Sequence, residues 1–186
     1  MEKKKLGPKT LLYPMPAVLV GAMVDGKANF MTAAWCSIAC QKPPAISVAI
    51  HKMRHTHAGI VAGGTFSVNV PSVEQVRVVD YCGIYSGRKN DKAALFEIFY
   101  GDLENVPLIS ECPLNLECRV IHTLEIGSHD LVVGEIVQTH LAESCEKDGK
   151  PDPEKIDPLM YCPGAEEYYS IGKSVARAFR VGKKIS

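Results

Sequence analysis

The sequence has no surplus of charge: 21 lysines and arginines balance 21 aspartates and glutamates. No overall field therefore draws the chain to nucleic acid or to an anionic membrane, and any anion site has to be local. Long hydrophobic runs are also missing. The segment after Lys3-Lys4-Lys5 imitates the start of a signal peptide, but Pro14 and Pro16 interrupt it. The apolar run beyond them lasts only from Ala17 to Val24. That is far short of the ~20 residues a membrane helix needs, and no small-residue cleavage site follows, so a cytoplasmic protein with no membrane partner is expected.

Cys-x-x-Cys pairs are absent. The seven cysteines, at 36, 40, 82, 112, 118, 145 and 162, are an odd number for a disulfide framework and read as reduced thiols of a cytosolic chain. Cys36-x-x-x-Cys40 precedes His51, His55 and His57, but this spacing matches no structural zinc pattern, so no metal site is assigned. No Gly-x-Gly-x-x-Gly follows a strand, which argues against a Rossmann dinucleotide site. Gly83-Ile-Tyr-Ser-Gly87-Arg-Lys is too short between its glycines for a Walker loop and follows a helical segment. A Gly-x-Ser-x-Gly elbow is missing as well, and nothing nominates a catalytic nucleophile.

What the chain does contain is strands. Ala17–Val24 is apolar on both faces and predicts a buried strand, and Asp25-Gly26 is a hairpin turn signal. Asn29–Cys36 then forms the second arm, rich in small residues and ending near the one tryptophan, Trp35. Such a strand lets a flat, partly polar ligand approach its backbone. Gln41-Lys42-Pro43-Pro44 ends it, since proline cannot continue a ladder. Further strands are expected over Ala45–Ile50, Thr65–Val70, Leu114–Ile126 and Asp130–Leu141, the second and third of these alternating apolar with polar residues on the strand period.

Helices are short. Thr56 is placed to cap one through Ala62, ended by Gly63-Gly64. Ser72 and Gln75 have capping-box spacing ahead of a core-facing stripe of Val73, Val76 and Val79, and Asp91–Phe96 forms another short helix. Six strands joined mostly by hairpins or short helices predict a mainly β fold: a six-stranded antiparallel β-barrel with a few short helices, in one domain over 1–186. Glu143–Pro158 reads as a surface excursion. The tail, from about 143 to 186, is expected to pack on the barrel or on a partner.

Two loops carry groups able to hold an anion. Arg54, His55 and Thr56 stand where a strand ends and a helix begins, so a guanidinium, a hydroxyl and a helix N-terminus would converge. Arg88, Lys89 and Lys92 form a second basic group. Solvated surface charge is the plain alternative for both.

The sequence resembles the flavin reductase-like FMN-binding split-barrel family, most closely its flavoredoxin branch. The likeness runs through Tyr13-Pro-Met-Pro16, Asn29-Phe-Met-Thr-Ala-Ala-Trp35, Pro43-Pro44, Phe66-Ser-Val-Asn-Val-Pro71, Asp80-Tyr-Cys-Gly-Ile-Tyr-Ser-Gly-Arg88, Glu111-Cys-Pro-Leu114, Gly127-Ser-His-Asp130 and Asp157-Pro-Leu159 to Glu167-Tyr-Tyr169. The resemblance implies a Greek-key split barrel that forms a homodimer with one FMN per subunit near the interface. It sets Asn29, Met31, Thr32, Ala33, Ala34, Trp35 and Cys36 along the isoalloxazine. It gives the phosphate to Arg54, His55, Thr56 and Lys92, borders the site with Ser86 and Arg88, and lets His129 reach the flavin from one side or across the dimer.

The residues agree with this, because FMN needs one local cationic pocket and not a basic protein. Plain readings stand beside it: Trp35 as a barrel-core aromatic, Cys36 as a small hydrophobe, His51 and His55 as loop histidines and Thr56 as a cap. The expected function is a redox protein in which FMN carries electrons from NAD(P)H or a reduced carrier to an acceptor. The alternatives are an electron carrier serving a protein partner, or a flavin-free small-molecule-binding barrel.

Overall fold

The computed structural model describes residues 1–183, so the last three residues of the tail lie outside the described part. Its main sheet has seven strands: β1 (Val18–Val24), β2 (Lys27–Ala33), β3 (Cys36–Gln41), β4 (Pro44–His51), β5 (Thr65–Val70), β6 (Leu114–Ile126) and β7 (His129–Leu141). Their spatial order is β2-β1-β5-β6-β7-β4-β3, and every neighbouring pair is antiparallel. Helix α1 spans His55–Gly63 and α2 spans Val76–Ile84. No helix among the described residues is long and apolar enough to cross a membrane.

The mainly β, antiparallel class is as the sequence indicated; the count is seven because Asn29–Cys36 is two strands. β2 ends at Ala33 and β3 starts at Cys36, and these lie at opposite ends of the sheet order. Laid flat, seven strands would hold those edges about 29 Å apart. Three residue steps span at most about 11 Å. The sheet therefore has to curl until its edges meet, and Ala34–Trp35 bridge the seam. The interior of the curl receives side chains from β1, β2, β4, β5, β6 and β7, including Val20, Met31, Val48, Ile50, Phe66, Val68 and Val132. The Asp25-Gly26 turn joins β1 to β2 with both residues at positive φ, 50° and 76°, as a tight hairpin requires.

A second apolar cluster lies outside the barrel, where α2 covers β1 and β2. Leu19 and Phe30 meet Val79 and Cys82 of α2, with Ile109, Cys112 and Leu159 completing the layer. The valine stripe of α2 is thus core, and full burial of a side chain such as Val79 contributes roughly 1.5–3 kcal/mol. The N–H of Ser72 donates to Gln75 Oε1 at 2.9 Å, fixing the entry to this segment. Tail residues pack here as well: Met160–Cys162 pairs with Met15–Pro16 and with Glu167–Tyr169, while Tyr161 and Tyr168 lie against the cluster. Within the predicted surface excursion, Cys145 and Ile156 are buried.

Two strands depart from the expected alternation, for one reason. β5 is buried on both faces, and so is the first part of β6, where Asn115 and Glu117 occupy positions read as solvent-facing. The segment between α2 and β6 folds over this outer face and takes the place of water. Asn69 Oδ1 accepts the Ile109 N–H at 3.0 Å and Asn115 Nδ2 at 2.8 Å; Ser67 Oγ donates to the Pro107 carbonyl at 2.6 Å. Glu117 accepts the N–H groups of Asp102 and Leu103 and faces His140 Nε2 at 2.6 Å. Burial raises its carboxyl pKa, but the His140 contact and the two backbone donors outweigh that and hold it below the usual range. The far ends of β6 and β7 extend beyond this cover, which leaves Leu124 and Ile126 exposed.

Replacing Glu117 by Leu removes the acceptor of two backbone donors and one imidazole in a partly buried layer, at roughly 1–3 kcal/mol for each group left without a partner. Urea denaturation is expected to show a loss of about 3 kcal/mol or more. A loss below about 1 kcal/mol would contradict the pinning of this layer by Glu117.

Candidate functional site

At the seam between the sheet edges the structure has a cavity of 520 Å³. The end of β2 lines it with Met31, Thr32 and Ala33, and the crossing adds Ala34 and Trp35. β4 contributes Ala49 and His51; the following loop and α1 contribute Met53, Arg54, His55 and Thr56. The segment after α2 adds Ile84, Tyr85, Ser86 and Gly87, and Lys92 and His129 complete the wall. Because β2 is an edge strand, the backbone groups on its unpaired side are available to a ligand with a polar rim. The crossing itself is fixed by backbone bonds, Cys36 N–H to Ala34 O at 3.0 Å and Ala49 N–H to Trp35 O at 2.9 Å.

One end of the cavity is flat and aromatic. The Trp35 and His129 rings lie 4.8 Å apart with 31° between their planes, and His51 meets His129 edge-on at 4.9 Å. Trp35 is 41 % exposed, so it is a wall of the site and not a barrel-core residue. Burial, and then the neighbouring His51 and Arg54, lower the His129 pKa, which makes its imidazole neutral at pH 7.

The other end is cationic. Lys92 is 3 % exposed, and its Nζ donates to the carbonyls of Cys82 and Tyr85, both at 3.1 Å. Arg54 Nη1 donates to the carbonyl of Gly83 at 2.9 Å. These carbonyls belong to the last turn and cap of α2, where unsatisfied C=O groups and the helix dipole favour cations. So α2 holds both cations without neutralising them. No ion pair among the described residues includes Lys92 or Arg54. Burial is the main cause that lowers the Lys92 pKa. A cation buried with dipoles alone is costly, and an anionic ligand would supply the missing countercharge.

α1 brings donors to the same end. Arg54, not Thr56, is its N-cap, and Thr56 sits in the first turn, 1 % exposed. Thr56 Oγ1 accepts from Asn29 Nδ2 at 2.6 Å, which leaves the hydroxyl proton free to donate. The backbone N–H groups of His55 and Thr56 have no acceptor among the described residues, as expected for a first helical turn.

Of the residues singled out from the sequence, this cavity gathers Met31, Thr32, Ala33, Ala34, Trp35, Arg54, His55, Thr56, Ser86, Lys92 and His129. It does not gather Asn29, Cys36 or Arg88. Asn29 lies behind Thr56 and orients its hydroxyl. Cys36 packs against the barrel core, and burial pushes its thiol up to about 12, the behaviour of a small hydrophobe. Arg88 is exposed in an adjoining cleft. Sequence reasoning named Ser86 and Arg88 within the bordering loop Cys82–Arg88, of which Ile84, Tyr85 and Gly87 also line the cavity, and it omitted Ala49, His51 and Met53. Of these three, only His51 carried a signal. Among the described residues no cluster of His, Cys, Asp or Glu could hold a metal ion.

A seam cavity with a flat aromatic end and a cationic end suits an anionic heterocycle. The flavin reductase like domain matches residues 10–171, and the chain belongs to that family. The structure of flavoredoxin from Methanosarcina acetivorans superposes with a TM-score of 0.96 at 44 % identity, covering 98 % of each chain. Flavoredoxin of Desulfovibrio vulgaris (Miyazaki F) gives 0.92 at 41 % identity, covering 98 % of this chain and 100 % of that one. An FMN-binding protein from Thermus thermophilus gives 0.81 at 27 % identity, covering 95 % and 99 %. The fold is the flavin reductase-like split barrel, and the chain is a flavin-binding redox protein of that family.

Proposed function

We propose that the flavin is FMN, held in the seam cavity with its ring at the Trp35–His129 end and its phosphate at the Lys92 end. The observation that carries this reading is the buried Lys92, without an ion pair among the described residues, beside the first turn of α1 and in one cavity with the aromatic wall. The cavity volume falls in the usual range for small-molecule sites, roughly 300–1,000 Å³. Lys92, Arg54, the Thr56 hydroxyl and the His55 and Thr56 N–H groups hold the phosphate. Asn29 keeps the Thr56 proton pointed away from itself. The open edge of β2 and the crossing at Ala34–Trp35 face the polar rim of the ring, and His129, neutral at pH 7, closes one side.

FMN supplies the acceptance of a hydride and the onward release of electrons. We assign the hydride to NAD(P)H, or the electrons to a reduced carrier. A relative from Archaeoglobus fulgidus, 29 % identical over 111 residues, is named ferric-chelate reductase (NAD(P)H). The exposed flank of Trp35 leaves the ring end open to such a donor.

We also propose that a second copy of the chain packs beside this end, on the strip that leads to the cavity wall. Leu124 of β6, Leu131 of β7 and Ala49 of β4 stand opposite one another across the sheet, and the next row is Ile126, His129 and His51. An exposed apolar strip thus runs to the cavity wall. Sedimentation velocity is expected to show a dimer that Leu124→Glu converts to monomer; a wild-type monomer at micromolar concentration would contradict this.

Purified protein is expected to carry a flavin absorption spectrum released as FMN and bleached anaerobically by NADH or NADPH. Because burial lowers the Lys92 pKa and a bound phosphate raises it, FMN affinity is complete while Lys92 is charged in the free protein. It is lost as pH rises through that lowered pKa. Fluorescence titrations on the alkaline side should show this fall in wild type and not in Lys92→Arg. Colourless protein that quenches no FMN fluorescence would overturn the assignment.

A further inference from the structure

One buried carboxylate has no part in the proposed flavin contacts. Asp130 of β7 is 8 % exposed and directly follows His129 of the cavity wall. Successive strand residues face opposite sides, so its side chain turns away from His129. It meets α1 instead, with Oδ2 at 2.7 Å from His57 Nε2. The bond from His57 lowers the Asp130 pKa against the effect of burial, and Lys52 lowers it further, so the carboxyl is charged at pH 7. An ionised carboxylate only accepts, so Nε2 of His57 carries the proton of this bond. The second oxygen, Oδ1, is buried without a hydrogen bond. Lys52 Nζ stands 3.6 Å from it and also pairs with Glu125.

The turn that Asp130 holds is one that its own sequence does not secure. α1 is nine residues long, and Gly59, Gly63 and the β-branched Thr56, Ile60 and Val61 make it a poor helix by itself. Its N-cap, Arg54, makes no side-chain cap bond, and its first turn has no acidic residue to meet the helix dipole. Farther along, the helix is seated closely on β1, where a Cβ on Gly59 would stand 2.3 Å from the Met23 carbonyl oxygen. The first turn relies on two side-chain bonds from distant strands, Asn29 of β2 to Thr56 and His57 to Asp130 of β7. We propose that Asp130 is a positioning residue for the flavin phosphate. Through His57 it fixes the first turn of α1, and with it the His55 and Thr56 N–H groups, relative to the strand that carries His129. The inference rests on the FMN reading of the cavity. Asp130 thus supplies from β7 the negative charge that the start of α1 lacks, and one strand fixes both ends of the cavity. A bare carboxylate near an anion site would repel the ligand, but here Oδ2 is engaged by His57 and Oδ1 faces Lys52.

The test is fluorescence titration of flavin-free protein with FMN and with riboflavin. It is run on wild type, His57→Ala, Asp130→Ala, the double variant of both, and His57→Gln, whose amide still donates to Asp130. Each alanine variant should bind FMN about tenfold or more weakly, the scale of losing charge-assisted bonds to phosphate. Because the two residues act as one unit, the double variant should lie within about twofold of the weaker single variant. His57→Gln should stay within about threefold of wild type. Riboflavin affinity should change less than about twofold throughout, which also reports that the variants are folded. FMN and riboflavin weakening together makes the pair a general structural contact and overturns the proposal. So does FMN binding that is unchanged or tighter in Asp130→Ala, a double variant in which the two losses add, or His57→Gln as weak as His57→Ala. Should Asp130→Ala fail to fold, the two His57 variants decide alone. A wild type that binds FMN no more tightly than riboflavin rejects the phosphate reading itself.

Discussion

The structure depends on a constraint of chain length. Ala34 and Trp35 alone carry the backbone from one edge of a seven-stranded sheet to the other, so the sheet has to close on itself. Closure at one short crossing leaves a seam in place of a continuous ladder. It also places an edge strand with free backbone groups, the lone tryptophan and the His51–His129 pair around one opening. A barrel closed by strand pairing at that point would have consumed those backbone groups. The aromatic end of the cavity is thus a by-product of how the barrel shuts.

The cationic end has a different origin. Two helices meet there with opposite poles, α1 by its N-terminus and α2 by its C-terminus. The carbonyls of Cys82, Gly83 and Tyr85 hold Lys92 and Arg54, and the first turn of α1 offers unpaired N–H groups beside them. Dipoles position the cations, and no ion pair among the described residues neutralises them. This arrangement explains how a protein with no net charge holds a localised anion site, and why the neighbouring cleft, lined by Lys27, Arg88 and Lys89, extends the positive region outward.

Much of this was legible in the sequence. The β1–β2 hairpin, the antiparallel class, the valine stripe of α2 and most of the cavity lining followed from period, turn residues and family likeness. What the sequence hid was set by distant packing. Nothing local says that Cys36 starts a new strand, since the break at Ala34–Trp35 is imposed by barrel closure. The alternation of β6 predicted Asn115 and Glu117 in water, and a loop hydrogen-bonded over them instead. Lys92 read as one of three loop cations, set apart only by the family likeness, yet it is buried, and Arg88 and Lys89 are not. Thr56 read as a helix cap, but its bond is to Asn29, far away in sequence.

The central claim is that a buried, unneutralised Lys92 recognises the flavin through its phosphate. The most direct measurement compares dissociation constants for FMN and riboflavin, which differ only by that phosphate, in wild type and in Lys92→Met. The account predicts that wild type prefers FMN strongly and that the variant loses most of that preference while keeping its riboflavin affinity. An FMN preference that survives Lys92→Met unchanged would contradict it.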